Sequence, residues 1–287
     1  MANGISYASA FELHRTAPNE AAVRAALAAY RDSGVTFVRD GGDKLGVSRL
    51  AKTLAPEYEI DFRTPIFILH RKGFYGSMYG HGYSDMREAR ALVAQAKRDG
   101  ADFIKIAATG MLDFADAGKI IGAGTDVGDA LPRDEVAELV NIANGEGFAV
   151  MAHCNGAESI KNALLAGVSS IEHGFFMDDE GLALLRETGA VWVPTAVTVA
   201  NNLDGSRFPR DVMRTILDGH SDAISRAAAQ SCEPQFARPI YIACGSDAGA
   251  YNVPHGRGAL DEAAFLAQLG VDVMTGNARI AEVFARG

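Results

Sequence analysis

The sequence predicts an α/β fold, a (β/α)₈ barrel that uses residues 1–287 as one domain. Two observations carry this. Short apolar runs rich in Val, Ile and Phe recur along the chain, and each is followed by an amphipathic stretch of helical period. Runs of this kind suit strands buried on both faces, and strict alternation with helices implies a parallel sheet. A third observation places the chemistry. Lys105, His153, His173 and Asp247 each stand at the end of such a run, the rim where barrels of this class keep their active sites.

The predicted strands are residues 35–40, 61–69, 102–108, 148–153, 168–173, 190–195 and 239–247, with a weaker first strand somewhere in 4–14. Helical stretches fill the intervals. Residues 20–34 end on Gly34, and residues 84–100 open on Ser84 as N-cap and end on Gly100; glycine past the last turn and serine before the first are ordinary helix punctuation. Further helices follow each later strand and close the chain. An open doubly wound sheet is the competing architecture. It wants a glycine-rich phosphate loop after an early strand, and GGDKLG at 41–46 fits that fingerprint poorly. No linker or composition shift divides the chain.

At 48% hydrophobic and 22% charged, the 287 residues can fill a core, so a folded soluble protein is expected. The formal net charge of −9 argues against nucleic acid or an anionic membrane as partner. No window is long and apolar enough to span a bilayer, and the first residues lack the form of a secretory signal. Three unpaired-looking cysteines fit a reducing, cytoplasmic setting. A small-molecule substrate is the expected partner, and a homo-oligomer is compatible with all of this.

A lysine, two imidazoles and a carboxylate at successive strand ends are what a divalent-metal hydrolase needs, since neutral imidazole and carboxylate suit zinc-like ions. Singly, each has an ordinary reading. A histidine after a strand is more often a hydrogen-bonded structural residue, Lys105 could pair with a carboxylate, and Asp247 could start a turn. The joint pattern shifts the balance.

FIKIAATG, the stretch HCNGAESIKNALLAGVSSIEHG and GSDAG, in this order, resemble the amidohydrolase superfamily, in particular its imidazolonepropionase-like and Xaa-Pro dipeptidase-like branch. SGVTFVRDGG, the glycine-flanked His81 and TGNARIAEVF are similar to the same branch. The resemblance implies that Lys105 is carboxylated and bridges two metal ions, that His153 and His173 ligate the second ion, and that Asp247 ligates metal and moves the proton of the attacking water. The cofactor it implies is one or two divalent ions, zinc above all. It further implies a hydrolase acting on an amide or cyclic-amide C–N bond of a small molecule or dipeptide. Lactone or ester hydrolysis on the same site, and a catalytically silent ligand-binding barrel, are the alternatives.

Two departures stand out. Members of the family carry a His-x-His pair on the first strand, and here the only histidine before residue 70 is His14. Glu12 and His14 could take the pair's place, with His14 a metal ligand. If the strand is instead residues 3–8, Ile5 and Tyr7 take it and the first metal site is lost. Members also wrap a β-sandwich around the barrel, for which the predicted elements leave no room. Among the remaining residues, His81 in a Gly- and Tyr-rich loop is expected to serve catalysis and substrate binding. His255 and Tyr79 are expected to contact substrate, with Tyr75 and Tyr83 weighed beside them. Asp40 either supports the site or starts a turn, Cys154 packs, and His220, between Asp218 and Asp222, lies on a solvated helix face.

Overall fold

The computed structural model describes residues 7–110, 112, 129–231, 235–236 and 238–285. Its strands are β1 Phe37–Arg39, β2 Asp61–Arg63, β3 Ile68–Arg71, β4 Gly80–Tyr83, β5 Ile104–Ala107, β6 Val150–Cys154, β7 Ser170–His173, β8 Val191–Val193 and β9 Tyr241–Ile242. Its helices are α1 Tyr7–His14, α2 Glu20–Asp32, α3 Val47–Leu54, α4 Met86–Arg98, α5 Arg133–Gly145, α6 Ala157–Leu165, α7 Asp179–Thr188, α8 Val197–Ala200, α9 Arg210–Ser231, α10 Arg257–Gln268 and α11 Val273–Val283. All strand pairs are parallel. β1 pairs β2, and a seven-stranded sheet runs β4-β3-β5-β6-β7-β8-β9. This is the parallel α/β wall that the alternating pattern predicts.

The predicted strand 61–69 is broken in two. Pro65 lacks an N–H to continue the ladder, and Ile66 takes a left-handed φ of 68°. The first half pairs β1; at the break the N–H of Asp102 donates to the Thr64 carbonyl at 2.9 Å, and the second half pairs β5. One curved wall therefore runs from β1 to β9.

Period-two alternation sorts the side chains. Leu69, Ile104, Ile106, Val150, Ala152, Ile171 and Trp192 point outward and pack under the helices on Val93, Leu139, Ile160, Leu182 and Ile224. Phe103, Met151, Val191, Val193 and Ala243 point inward and form a separate core with Ile280 and Phe284. Those last two come from α11 and the residue after it. Gly276 of α11 lies so close to β9 that a Cβ would sit 1.8 Å from the Ile242 carbonyl oxygen. Asn277 Oδ1 accepts the Cys244 N–H at 2.8 Å, while Arg63 on β2 donates to the carbonyls of Ala281 and Phe284. The final helix thus joins the two ends of the wall. Just inside, the buried Arg39 guanidinium spans from β1 to both carboxylate oxygens of Glu172 on β7, at 3.0 and 3.1 Å.

Three predicted features are corrected. Residues 7–14 form helix α1 and no strand, consistent with the strong helix formers in YASAFELH; residues 3–6 of the alternative register lie outside the described residues. The loop expected around His81 is strand β4, whose Gly80 and Gly82 conceal it from any propensity reading. Helix 84–100 is capped by Asp85, which accepts the Glu88 N–H at 2.8 Å, one residue later than Ser84. No helix among the described residues is long and apolar enough to cross a membrane.

Candidate active site

Lys105 shares the inward face of β5 with Phe103, and His153 shares that of β6 with Met151. His173 has the opposite parity, because its neighbour Glu172 takes the inward position on β7. A left-handed φ of 69° at His173 turns the ring back over the rim, where it meets His153 edge-on with centroids 4.6 Å apart. Asp247, past β9, is also left-handed at 54°, and it is exposed. Non-glycine residues held in this region carry strain, and such strain gathers at functional sites. The Lys105 side chain is buried and makes no hydrogen bond or ion pair with a described residue. Gly41 lies against it, since a Cβ there would stand 3.1 Å from Nζ.

Hydrogen bonds decide which nitrogen of each ring is available. His153 Nε2 lies 3.1 Å from the Gly110 carbonyl, which can only accept, so Nε2 carries the proton and Nδ1 the lone pair. The single hydroxyl proton of Thr195 goes to the Pro194 carbonyl at 2.7 Å. His173 Nδ1, 2.8 Å from Thr195 Oγ1, must therefore donate, which leaves the Nε2 lone pair free. Burial, then the neighbouring His173 and Lys105, hold His153 well below the usual histidine range. His173 is lowered to about 3 by burial, with Lys105 and His220 adding to it. Both rings are neutral at physiological pH, the state in which imidazole binds metal.

The segment after β8 holds His173. Trp192 Nε1 donates to the His173 carbonyl at 2.8 Å. Gly174 gives the indole room, since a Cβ would come within 2.4 Å of Nε1. Glu262, fully buried on α10, accepts the N–H groups of Ala196 and Val197 at 3.1 and 2.9 Å. Tyr75 lays its ring against His153 with centroids 4.7 Å apart, and Tyr79 stands behind Tyr75 at 6.2 Å.

Other predicted residues lie elsewhere. His14 ends α1, where its Nδ1 accepts the Asn19 N–H at 3.0 Å, and Glu12 is exposed; in a helix the two no longer share a face. Among the described residues, no contact of His14 reaches His153 or His173. His81 is in register with Leu69, which pairs Ile106, so it falls on the face opposite Lys105 and packs edge-on against Phe67 at 4.5 Å. His70, which the sequence reading passed over, has the same parity as Ile68 and Lys105. His255 Nδ1 lies 3.0 Å from the Tyr30 hydroxyl, beside the Asp247 turn. Tyr83 is buried and donates its hydroxyl to Glu135. Asp40 accepts from Gly42 N and Thr64 Oγ1, closing the turn that brings Gly41 to Lys105. Cys154 is buried, and burial pushes its thiol well up, which makes it inert.

His220 is the clearest correction. It is 2% exposed and packs on Phe175 and Trp192 with centroids at 4.3 and 5.5 Å. Its neighbours Val212, Met213, Ile216, Leu217, Ala223, Ile224 and Ala227 repeat at helical spacing, and His220 belongs to that buried stripe. Asp218 and Asp222 occupy the other face.

The donor chemistry of His153 and His173 fits a divalent ion, with two neutral imidazoles whose far nitrogens are pinned. Among the described residues no three His, Cys, Asp or Glu side chains gather closely enough to hold an ion by themselves. Two such donors are fewer than the four that close a structural zinc site.

Residues 16–285 match the model of the amidohydrolase family. An uncharacterized protein of Mycobacterium tuberculosis is 30% identical over 163 residues, 53% of this chain and 42% of the relative. The chain thus spans less than half the length of the curated relatives it matches. A solved Xaa-Pro dipeptidase with methionine in its active site superposes with TM-score 0.72 at 26% identity, over 91% of this chain and 67% of its own. An ochratoxinase of A. niger has the same fold, with TM-score 0.74 at 19% identity over 97% of this chain and 67% of its own. The match over 16–285 shows that the chain belongs to the amidohydrolase family.

Proposed function

We propose that the protein is a metal-dependent hydrolase of an amide or cyclic-amide C–N bond in a small molecule or dipeptide. The observation that carries this is the His153–His173 pair, with lone pairs freed and rings 4.6 Å apart, in a chain whose Lys105 amine is buried without a described partner. His153 Nδ1 and His173 Nε2 hold a divalent ion. The neutral Lys105 amine would add carbon dioxide and release one proton to solvent, giving a carbamate whose negative charge would suit a second ion. Bound metal supplies Lewis-acid polarisation of the substrate carbonyl. Asp247, exposed in the turn past β9, takes a proton from water and returns it to the leaving nitrogen. Tyr75 forms a flat wall beside His153 against which the substrate packs.

A second reading, a barrel that binds a small ligand without turnover, is favoured by the missing third His, Cys, Asp or Glu donor among the described residues and by helix α1 where a first strand was predicted. Protein grown with zinc or manganese should be assayed on a panel of dipeptides, N-acyl amino acids, cyclic amides, esters and lactones. Hydrolysis of an amide that Asp247→Asn lowers by about 100-fold or more, with the ion still bound, supports the hydrolase. Turnover that survives both Asp247→Asn and His153→Ala defeats it.

A further inference from the structure

Thr195 is the hinge of the arrangement around His173. Its hydroxyl is the sole described partner of His173 Nδ1, at 2.8 Å. Yet Thr195 is β-branched with a left-handed φ of 51°, a conformation that does not persist unless its surroundings impose it. Two side chains from helices outside the wall grip the residues on either side. Upstream, His220 Nε2 of α9 lies 3.1 Å from the Pro194 carbonyl and donates to it, the same oxygen that receives the Thr195 hydroxyl. Downstream, Glu262 of α10 accepts the N–H groups of Ala196 and Val197.

His220 is an expensive way to fill space. With Nε2–H donating, Nδ1 is a buried acceptor with no partner among the described residues. Leaving such a group unsatisfied carries its full desolvation penalty, which leucine or phenylalanine in the same slot would avoid. The one polar thing the ring does is hold Pro194. We propose that His220 and Glu262 are positioning residues that clamp the peptides flanking Thr195, and so keep its hydroxyl on His173 and the His173 Nε2 lone pair directed at the site. The proposal rests on the reading of His173 as a ligand only for its effect on metal binding; the clamp itself is a property of the metal-free protein.

Two readouts test it. Imidazole ¹⁵N spectra of the metal-free, histidine-labelled protein report the His173 tautomer, and cobalt(II) titration reports affinity. Wild type should show His173 protonated on Nδ1. His220→Phe, which retains the aromatic contacts and loses the donor, should mix the His173 tautomers and weaken cobalt binding by about 10-fold or more, the usual scale for a residue behind a metal ligand. His220→Gln restores a donor and should recover most of that loss. Thr195→Val should reproduce the His220→Phe effect, and the double variant should be no worse than Thr195→Val alone. An unchanged tautomer in His220→Phe, or losses that simply add in the double variant, overturns the clamp. Should His220→Phe not fold, an unchanged tautomer in Thr195→Val overturns it equally. If wild type binds no cobalt, the metal-hydrolase reading fails while the tautomer comparison still decides the clamp.

Discussion

At the scale of single residues, the site depends on which backbone positions allow close approach. Gly41 is the sharpest case. It has no need of a left-handed φ, but a methyl there would press on Lys105 Nζ at 3.1 Å. Gly41→Ala should therefore leave stability within about 1 kcal/mol of wild type and lower hydrolysis and metal uptake together, which thermal unfolding beside a metal titration would read. His153 and His173 stand out in the sequence because each closes or nearly closes an apolar run, and Lys105 because it is a lone charge inside one, the second residue of β5 and not its end. Thr195 ends one too, in VWVPT, but a threonine announces no chemistry. Glu262 carried a signal that could have been read, an acidic residue at core spacing with Phe265 and Leu266. The same holds for His220, where the flanking aspartates drew attention from the stripe to which it belongs.

At the scale of elements, short buried strands gave themselves away and glycine strands did not. β4 reads GHGY, with neither branching nor alternation of apolar residues. Its glycines are required by contact, because a Cβ on Gly80 would stand 1.8 Å from the Ile68 carbonyl oxygen. Gly80→Ala should break the β3–β4 pairing and cost roughly 3 kcal/mol or more, a loss reserved for backbone clashes and core cavities; a urea midpoint unchanged by this substitution would refute the pairing. The same element settles the place of His81, since register and not sequence proximity puts it on the face away from Lys105. The expected first strand fails over Tyr7–His14, where local helix formers prevail over weak alternation.

At the scale of the molecule, several buried or half-buried histidines are held in the neutral form, and this sets the response to acid. Burial lowers His220 and His255 to about 4 and His173 to about 3, from an ordinary 6.5, and holds His153 well below that ordinary value. Between about 6.5 and 4 the unfolded chain binds more protons at these groups, so stability is lost as pH falls through that window. Glu262, pushed up to about 7 by burial, and Asp40, raised chiefly by desolvation, act in the opposite sense, because the folded chain holds their protons to higher pH. His14 and His81, lowered chiefly by burial as well, add to the four, and six histidines oppose two carboxyls. The metal-free protein should accordingly show a lower urea midpoint at pH 5 than at pH 7, and a midpoint that rises on acidification would contradict this balance.

The claim on which the functional reading turns is that His153 and His173 together hold a divalent ion. Cobalt(II) added to the metal-free protein tests it directly, because its visible absorption reports the ligands. The account predicts a protein-bound spectrum in wild type that is lost in both His153→Ala and His173→Ala. A spectrum unchanged in either variant, or no bound cobalt in wild type, would contradict it.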